Sequence, residues 1–234
     1  ELLGKDAAFP VKGHSLKSQL ASVRDCQAII KKAIATKMSE KYSCDRLPED
    51  GVKYQVQFSI YKDRVTLMID TSGEPLHKRG YRIKHNAAPL RETIAASIVM
   101  LSYWRFEDVL CDPFCGSGTI PIEAALFKKN IAPGKNRRFA AHSFPFIEKS
   151  AWDLAQEEAL FGERDLKLQI LASDIDADCV KLAKESAKNA GVGDDINFYR
   201  ANALDFKSDI SGGTIMCNPP YGERLSDKKE CEKL

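Results

Sequence analysis

The sequence predicts an α/β protein whose larger part is a parallel, doubly wound sheet. From residue 109 onward, short apolar segments that predict strands alternate with segments that predict helices, an order typical of parallel sheets with helices on both faces. Gly191 directly follows one predicted helix, and glycine is common at the position where a helix ends. The predicted strands are 109–112, 168–175, 196–202 and 214–220, and the predicted helices among them are 119–127 and 176–190.

The front of the chain predicts a smaller α+β module. Apolar residues recur at helical spacing within 14–41, which predicts one or two helices. Residues 54–73 alternate apolar and polar side chains on either side of Lys62-Asp63, a pattern typical of a β-hairpin.

These patterns divide the chain into three parts. Residues 1–72 form the front module, and the Gly-, Pro- and charge-rich segment 73–87 connects it to the sheet domain. Residues 88–234 form the sheet domain, which opens with a helix over 88–104 that has Pro89 near its start.

Composition and charge are those of a soluble globular protein. Apolar residues make up 44% and charged residues 29% of the 234 positions, and no apolar run is long enough to span a bilayer. The N-terminus has no export signal pattern, so we expect a cytoplasmic protein without a membrane partner. Residues 1–90 carry 16 Lys and Arg against 10 Asp and Glu, which hints at a polyanion-binding front module.

The seven cysteines predict free thiols. They form no CxxC pair, and no histidine lies at ligand spacing from them, so we predict no metal site. Reduced thiols in a cytosolic protein are the simplest interpretation.

The segment DPFCGSG, residues 112–118, predicts a turn that binds a ligand between a strand and a helix. Gly116 and Gly118 permit unusual backbone angles and close approach by a ligand, and the following helix offers free N–H groups. A dinucleotide fingerprint would have a third glycine where this chain has Pro121, so an adenosine-type ligand is favoured over a pyrophosphate. Taken alone, the motif is also compatible with a structural turn.

Two further strand ends carry groups that suit an adenosine. Asp174 can accept hydrogen bonds from both ribose hydroxyls, and Ile175 can lie against an adenine face. Asn202 and Ala203 end the third strand, within reach of the adenine edge. Because the carboxyl ends of parallel strands meet at one edge of a sheet, we expect these residues and the glycine turn to share one crevice.

The fourth strand ends in NPPYG, an order that suits a clamp for a planar amine. The side-chain carbonyl of Asn218 and the backbone carbonyl of Pro219 can accept both N–H bonds of an exocyclic nucleobase amine. Pro219 and Pro220 fix the local backbone, and Tyr221 can stack on a base turned out of its helix. The alternative is a proline-rich turn that only closes a strand, and the glycine turn and Asp174 argue against it.

Together these motifs resemble a class I S-adenosylmethionine-dependent methyltransferase of the amine-methylating type. The segments DTSGEPLHKRGYR (70–82), APLRETIAASI (88–98) and IAPGKNRRF (131–139) resemble more specifically the bacterial THUMP-containing RNA methyltransferases related to the ribosomal large-subunit methyltransferase K/L proteins. Such sequences are often labelled N6-adenine-specific DNA methylases. The resemblance runs over nearly the whole chain.

The resemblance implies a Rossmann-like class I methyltransferase sheet preceded by part of a THUMP domain, an RNA-binding module, in residues 1–72. The family sheet has further strands after the clamp, and its THUMP module has an earlier start, so we expect a chain truncated after its fourth strand. The implied cofactor is S-adenosylmethionine, held at its methionine part by Asp112, Cys115, Gly116 and Gly118, at its ribose by Asp174, and at its adenine by Asn202 and Ala203, with Pro89 and Leu90 closing the pocket. The implied catalytic residues are Asn218, Pro219, Pro220 and Tyr221.

The implied reaction is methyl transfer to an exocyclic amine of a nucleobase in RNA, first of all N2 of guanine in 23S ribosomal RNA. Methylation of adenine N6 in RNA or DNA is the alternative, and the motif does not separate the two. Pro121 and the clamp disfavour a nicotinamide-dependent dehydrogenase, and the intact clamp disfavours a non-catalytic RNA-binding adaptor. No protein partner is indicated.

The basic segment 128–149 has two equally supported interpretations. Its six Lys and Arg residues, interleaved with Phe139, Phe144 and Phe146, would suit phosphate contact and base stacking in RNA. It would equally suit an insertion whose aromatic rings pack back onto the protein.

Overall fold

The computed structural model describes residues 2–82, 89–207 and 212–220, which form two compact units. The first unit comprises Glu1–Pro75 and Arg138–Leu154, and the second comprises Leu76–Arg137 and Ala155–Leu234. The division from sequence alone placed 138–154 with the sheet domain, whereas in the structure this segment belongs to the first unit.

The first unit is a three-stranded sheet covered by one long helix. Strand β1 is Val11–Leu16, helix α1 is Val23–Tyr42, and strands β2 and β3 are Gln55–Tyr61 and Arg64–Asp70. The sheet order is β1-β2-β3, with β1 parallel to β2 and β2 antiparallel to β3. The hairpin predicted around Lys62-Asp63 is present, and both residues have positive φ, as its two-residue turn requires.

The helix expected to start near residue 14 starts later, and this part of the expectation was wrong. Residues 11–16 pair with β2 as a strand, and Leu16 and Leu20 are more than half exposed, so they do not form a helical core face. Helix α1 begins after Ser22, whose hydroxyl accepts a hydrogen bond from the Asp25 N–H at 3.3 Å. A hydroxyl in this capping position sets the start of a helix more strongly than leucine spacing does.

The segment 138–154 completes the core of the first unit. Phe144 is buried, and its ring stacks on that of Tyr54 with 4.6 Å between centroids. Phe139 stacks on Trp152 at 6.0 Å. These contacts support the packing interpretation of the aromatic residues in the basic segment, although 46% of Phe146 stays exposed.

Two lysines of the basic segment are paired within the second unit. The Lys129 ammonium contacts the Asp195 carboxylate at 2.8 Å, and Lys135 contacts Glu163 at 2.6 Å. Lysines held by carboxylates are poor candidates for phosphate contacts, so this finding also favours the packing interpretation.

The second unit contains a four-stranded parallel sheet in the order β6-β5-β4-β7. Its strands lie between helices, and strand β4 is fully buried, as in sheets covered on both faces. The elements are α2 (Glu92–Leu101), β4 (Leu110–Asp112), α3 (Thr119–Lys128), β5 (Ile170–Asp174), α5 (Ala177–Ala190), β6 (Ile196–Arg200) and β7 (Thr214–Ile215), with α4 (Lys149–Phe161) crossing the sequence boundary between the units.

All four strands and helix α2 of the second unit are shorter than the sequence predicted. Helix α2 begins at Glu92, so Pro89 precedes the helix instead of standing in its first turn. Strand β6 ends at Arg200, and β7 has two residues, with one further ladder bond from the Met216 N–H to the Cys111 carbonyl at 3.0 Å. Proline has no N–H to donate to a ladder, so the two prolines after Asn218 cannot prolong β7.

Candidate active site

The site lies where the chain reverses direction across the sheet. From β4 the chain moves outward to β5 and β6, and it then returns to place β7 on the other side of β4. The carboxyl ends of β4 and β7 are thereby neighbours, and loops leaving them in opposite directions open a crevice. The glycine turn follows β4 and the NPP segment follows β7, so the sheet brings these two motifs together.

The glycine turn has the backbone conformation that only glycine adopts without strain. Gly116 and Gly118 have φ of 53° and 81°. The turn is anchored to the sheet by the Cys115 N–H, which donates to the Ser173 carbonyl at 2.9 Å. A Cβ at Gly118 would lie 3.0 Å from Ala183 on α5, whereas a Cβ at Gly116 would meet nothing within 4 Å. Gly118 therefore allows close packing of the turn against α5, and Gly116 leaves open space above the turn.

Asp174 holds the glycine turn from the end of the neighbouring strand. Its Oδ2 accepts a hydrogen bond from the Gly116 N–H at 2.9 Å, and its Oδ1 accepts one from the Asp176 N–H at 3.0 Å. Each carboxylate oxygen can accept a second bond, so the side chain is fixed in place while two acceptor positions remain for a diol. Ile175 is 61% exposed beside it.

Asp112 is a buried carboxyl at the base of the turn. It is 1% exposed, and its Oδ1 accepts a hydrogen bond from the Phe114 N–H at 3.1 Å. Burial, together with the smaller effect of the Asp174 charge, raises the pKa of Asp112 to about 7 against the lowering effect of the hydrogen bond from the Phe114 N–H. Burial likewise raises the pKa of the Cys115 thiol, so it stays protonated and does not act as a nucleophile.

The raised pKa of Asp112 predicts a pH dependence of stability. Between the usual aspartate value of 3.8 and about 7, the folded protein binds a proton that the unfolded chain has released, so stability falls as pH rises through this window. We expect Asp112→Asn to remove this loss, so that the variant gains stability relative to wild type at up to about 1.4 kcal/mol per pH unit. Urea unfolding at about pH 5 and about pH 7.5 measures the difference.

Asp176→Asn is the matched control for this prediction. Hydrogen bonds from the Asp178 N–H and the Cys179 thiol lower the pKa of exposed Asp176. Its carboxylate therefore stabilises the fold fully at every pH above the usual aspartate range, and it adds no pH dependence of stability in the window where Asp112 titrates. Parallel stability curves for wild type and Asp112→Asn would contradict the prediction.

The end of β6 lies next to the end of β5 at the same edge of the sheet, where the Ala201 N–H donates to the Asp174 carbonyl at 3.1 Å. The Asn202 side-chain oxygen accepts a hydrogen bond from the Leu204 N–H at 3.1 Å, which caps a short 3₁₀ turn that starts at Ala203. The Arg200 Nε donates to the Ile175 carbonyl at 2.9 Å and so braces the loop after β5. Sequence reasoning missed Arg200, because nothing in a basic residue at a strand end indicates which carbonyl it will reach.

Asn218 lies two residues beyond the last ladder bond of β7. Its side chain is partly buried and makes no hydrogen bond within residues 2–82, 89–207 and 212–220. Pro219 is exposed and Pro220 is partly buried, while Tyr221, the predicted stacking ring, falls outside the described residues. Cys217, just before the motif, has its pKa raised by burial and by the Asp112 charge, which indicates that β7 ends close to that carboxyl. Within the described residues, the Asn218 amide is therefore available to a ligand at this edge of the sheet.

The last two predicted cofactor positions, Pro89 and Leu90, lie directly before α2. Both are partly buried, and Leu90 packs against the core of the second unit. Among the described residues, no group of three or more His, Cys, Asp or Glu side chains is placed to hold a metal ion. No helix in that part of the chain has both the length and the apolarity needed to cross a bilayer.

Comparison with known proteins identifies both parts of the chain. The RMKL-like methyltransferase domain matches residues 79–234, and the THUMP domain matches residues 1–70. The protein named "Putative RNA methyltransferase YpsC" from Bacillus subtilis (strain 168) is 46% identical over 233 residues, which cover 98% of this chain and 60% of that protein. The Ribosomal RNA large subunit methyltransferase K/L of Shewanella frigidimarina (strain NCIMB 400) is 37% identical over 206 residues, or 81% of this chain and 29% of that one.

A solved structure shows the same fold. The crystal structure of SMU.472, described as "a putative methyltransferase complexed with SAH", matches with a TM-score of 0.90 and 38% identity over 98% of this chain and 62% of that one. This chain therefore spans about three fifths of YpsC and of SMU.472. The predicted resemblance and the predicted class I fold behind a THUMP domain are both confirmed. The chain belongs to the RMKL-like methyltransferase family.

Proposed function

We propose that this protein binds S-adenosylmethionine in the crevice and methylates an exocyclic amine of a nucleobase in RNA. The observation that carries the proposal is the Asn218 side chain at the end of β7, which makes no hydrogen bond with the described residues and lies beside the β4 turn that Asp174 holds in place. A partly buried amide that the described residues leave without a hydrogen bond can accept one from a ligand in a strand-end crevice.

The residues present fit the adenosine part of S-adenosylmethionine. Asp174 retains one acceptor position on each oxygen for the two ribose hydroxyls, and the space above Gly116 admits the ligand without a side-chain clash. Exposed Ile175 offers an apolar surface to the adenine. The further residues that we assign to the cofactor are Pro89, Leu90, Asp112, Cys115, Gly118, Asn202 and Ala203.

The chain's own contribution to the reaction is to bind and orient the amine. S-adenosylmethionine supplies a methyl group made electrophilic by the positively charged sulfur. The Asn218 side-chain oxygen and the Pro219 carbonyl accept the two N–H bonds, which directs the nitrogen lone pair toward the methyl carbon. The amine is neutral, so its proton leaves after attack, to the clamp or to water. Pro220 keeps the backbone fixed, and Tyr221 is assigned to stacking on the base.

RNA is the proposed substrate, and N2 of guanine in 23S ribosomal RNA is the first choice of target. The THUMP match and the excess of basic residues in the front of the chain favour an RNA partner. The family relative named as a ribosomal RNA large subunit methyltransferase favours ribosomal RNA, which would place the protein in the cytoplasm. Adenine N6 is the second choice, because the clamp accepts either amine.

The proposal is tested by methyl transfer with the full-length gene product. Labelled S-adenosylmethionine is incubated with deproteinised ribosomal RNA and, separately, with duplex DNA of matched nucleotide content. We expect label in RNA only, and nucleoside analysis to recover N2-methylguanosine. Label in N6-methyladenosine would change the assigned target base to adenine and leave the proposed reaction in place. Transfer to DNA alone would overturn the RNA assignment.

The two glycines of the turn should separate cofactor binding from folding. Gly116→Ala places a methyl group in open space, so we expect it to cost about 1 kcal/mol of backbone strain and to weaken S-adenosylmethionine binding at least about tenfold. Gly118→Ala presses on Ala183, so we expect about 2 kcal/mol of lost stability. Calorimetric titration and urea unfolding of both variants make the comparison. Equal effects of the two substitutions on both quantities would contradict it.

A further inference from the structure

A buried guanidinium connects the starts of two helices next to the candidate site. The Arg82 side chain is 5% exposed and pairs with the Glu92 carboxylate, 7% exposed, at 3.5 Å. The same nitrogen of Arg82 donates a hydrogen bond to the Thr119 hydroxyl, which is also buried. Glu92 is the first residue of α2, and Thr119 is the first residue of α3.

These two helix starts carry the residues assigned to the cofactor. Leu90 stands two residues before Glu92, and Gly118 directly precedes Thr119. A side chain that joins Glu92 to Thr119 therefore fixes the segment that closes the pocket and the turn that lines it. Arg82 itself lies within the connecting segment, outside both helices.

Helix α3 has no side-chain cap of its own. Its N-cap is Gly118, in the left-handed conformation, which has no side chain to accept a bond from the first turn. Most helices begin with a Ser, Thr, Asp or Asn that fixes this turn. Here the hydrogen bond from Arg82 to Thr119 holds the first residue from outside the helix, so the geometry of the glycine turn depends on a contact from a distant part of the sequence.

A second buried arginine shows what a purely structural pair looks like in the same region. Arg79 contacts the Glu123 carboxylate at 3.3 Å, and Tyr81 donates to the same carboxylate at 3.0 Å. Glu123 lies one turn further along α3, away from the glycine turn. Both arginines are largely buried and contact a side chain of α3. They differ in whether that side chain lies next to the glycine turn.

We infer that Arg82 is a positioning residue for S-adenosylmethionine binding, which acts through Thr119 on the glycine turn and through Glu92 on the Pro89–Leu90 segment. The inference rests on the cofactor site proposed above. Burial of an ion pair is weak grounds for stability, because the cost of removing both charges from water offsets most of their attraction. The contacts of Arg82 indicate instead that this ion pair places the glycine turn precisely.

The test compares Arg82→Met with Arg79→Met in the full-length gene product. Each substitution leaves one glutamate buried without its arginine, so their effects on thermal unfolding should be similar. We expect Arg82→Met to raise the Kd for S-adenosylhomocysteine at least about tenfold, and Arg79→Met to change it less than about twofold. Without ligand, amide hydrogen exchange in 112–122 should rise in Arg82→Met and not in Arg79→Met.

Two milder variants keep the test decisive if Arg82→Met folds poorly. Thr119→Val removes only the hydroxyl that Arg82 contacts, and Arg82→Lys keeps the charge but places it one bond nearer the backbone than the Arg82 nitrogen that contacts both partners. Both should raise the Kd severalfold at unchanged thermal stability. Wild-type affinity in these variants, or equal losses in the Arg82 and Arg79 variants, would overturn the inference. Failure of the wild-type protein to bind S-adenosylhomocysteine would instead overturn the cofactor site itself.

Discussion

Asn218→Ala should lower kcat for RNA methylation by about 10²- to 10³-fold and leave the Kd for S-adenosylmethionine within about twofold. The substitution removes an acceptor that orients the amine, and no described residue hydrogen-bonds to this side chain, so its loss should not disturb the fold. Single-turnover kinetics with a saturating cofactor, together with calorimetric titration, separate the chemical step from binding.

Pro219→Ala is the matched control for the clamp. It keeps the backbone carbonyl that accepts the second N–H and removes only the ring that restricts the backbone, so we expect a smaller loss of kcat, about tenfold. A loss of cofactor affinity in Asn218→Ala that equals its loss of kcat would contradict the clamp, because the amide would then be serving the cofactor.

Asp174→Ala should weaken S-adenosylmethionine binding by about 100-fold or more. The substitution removes two charge-assisted acceptors for the ribose and also releases the Gly116 N–H, which donates to this carboxylate at 2.9 Å. Both effects act on the same pocket, since the released N–H is left without the partner that shapes the turn. Calorimetric titration with S-adenosylmethionine gives the affinity, and far-UV circular dichroism checks the fold.

Asp176→Asn is the control two residues further along the same loop. Its side chain accepts a hydrogen bond from the Asp178 N–H at 2.8 Å and caps α5, so the variant keeps an acceptor in place and should bind the cofactor within about twofold of wild type. Equal losses of affinity in the two variants would mean that the loop as a whole, and not the Asp174 carboxylate, determines binding.

The sequence was sufficient for those features of the site that depend on strand order. Alternating strands and helices predict a parallel sheet, and the sheet then brings Gly116, Asp174 and Asn218 to one edge, as the structure shows. Gly191 ends α5 in the left-handed conformation, as expected of a glycine in that position. Both predictions start from patterns that a single sequence displays, which are the alternation of strands and helices and a glycine directly after a helix.

The features that the sequence did not predict depend on distant contacts. The connecting segment resembles a solvated loop because it is rich in charge, yet Arg79 and Arg82 are among the most buried charged groups of the second unit. Residues 14–16, the end of strand β1, were predicted to be helical because the spacing of Leu16 and Leu20 continues into α1, and only pairing with β2 decides otherwise. Pairing partners across tens of residues leave no periodic signal in a single sequence.

The first unit is built from two separate stretches of the chain, and this constrains the order in which the protein can fold during synthesis on the ribosome. A ribosome delivers the chain from its N-terminus, at about 5–20 residues per second. The ring of Phe144 covers Tyr54, so the first core stays open until residues 138–154 have emerged, and by then β4 and α3 have already been synthesised. A contiguous fragment that ends at Pro75 would leave the Tyr54 ring uncovered. Expression of the first unit alone therefore requires 138–154 to be joined to it.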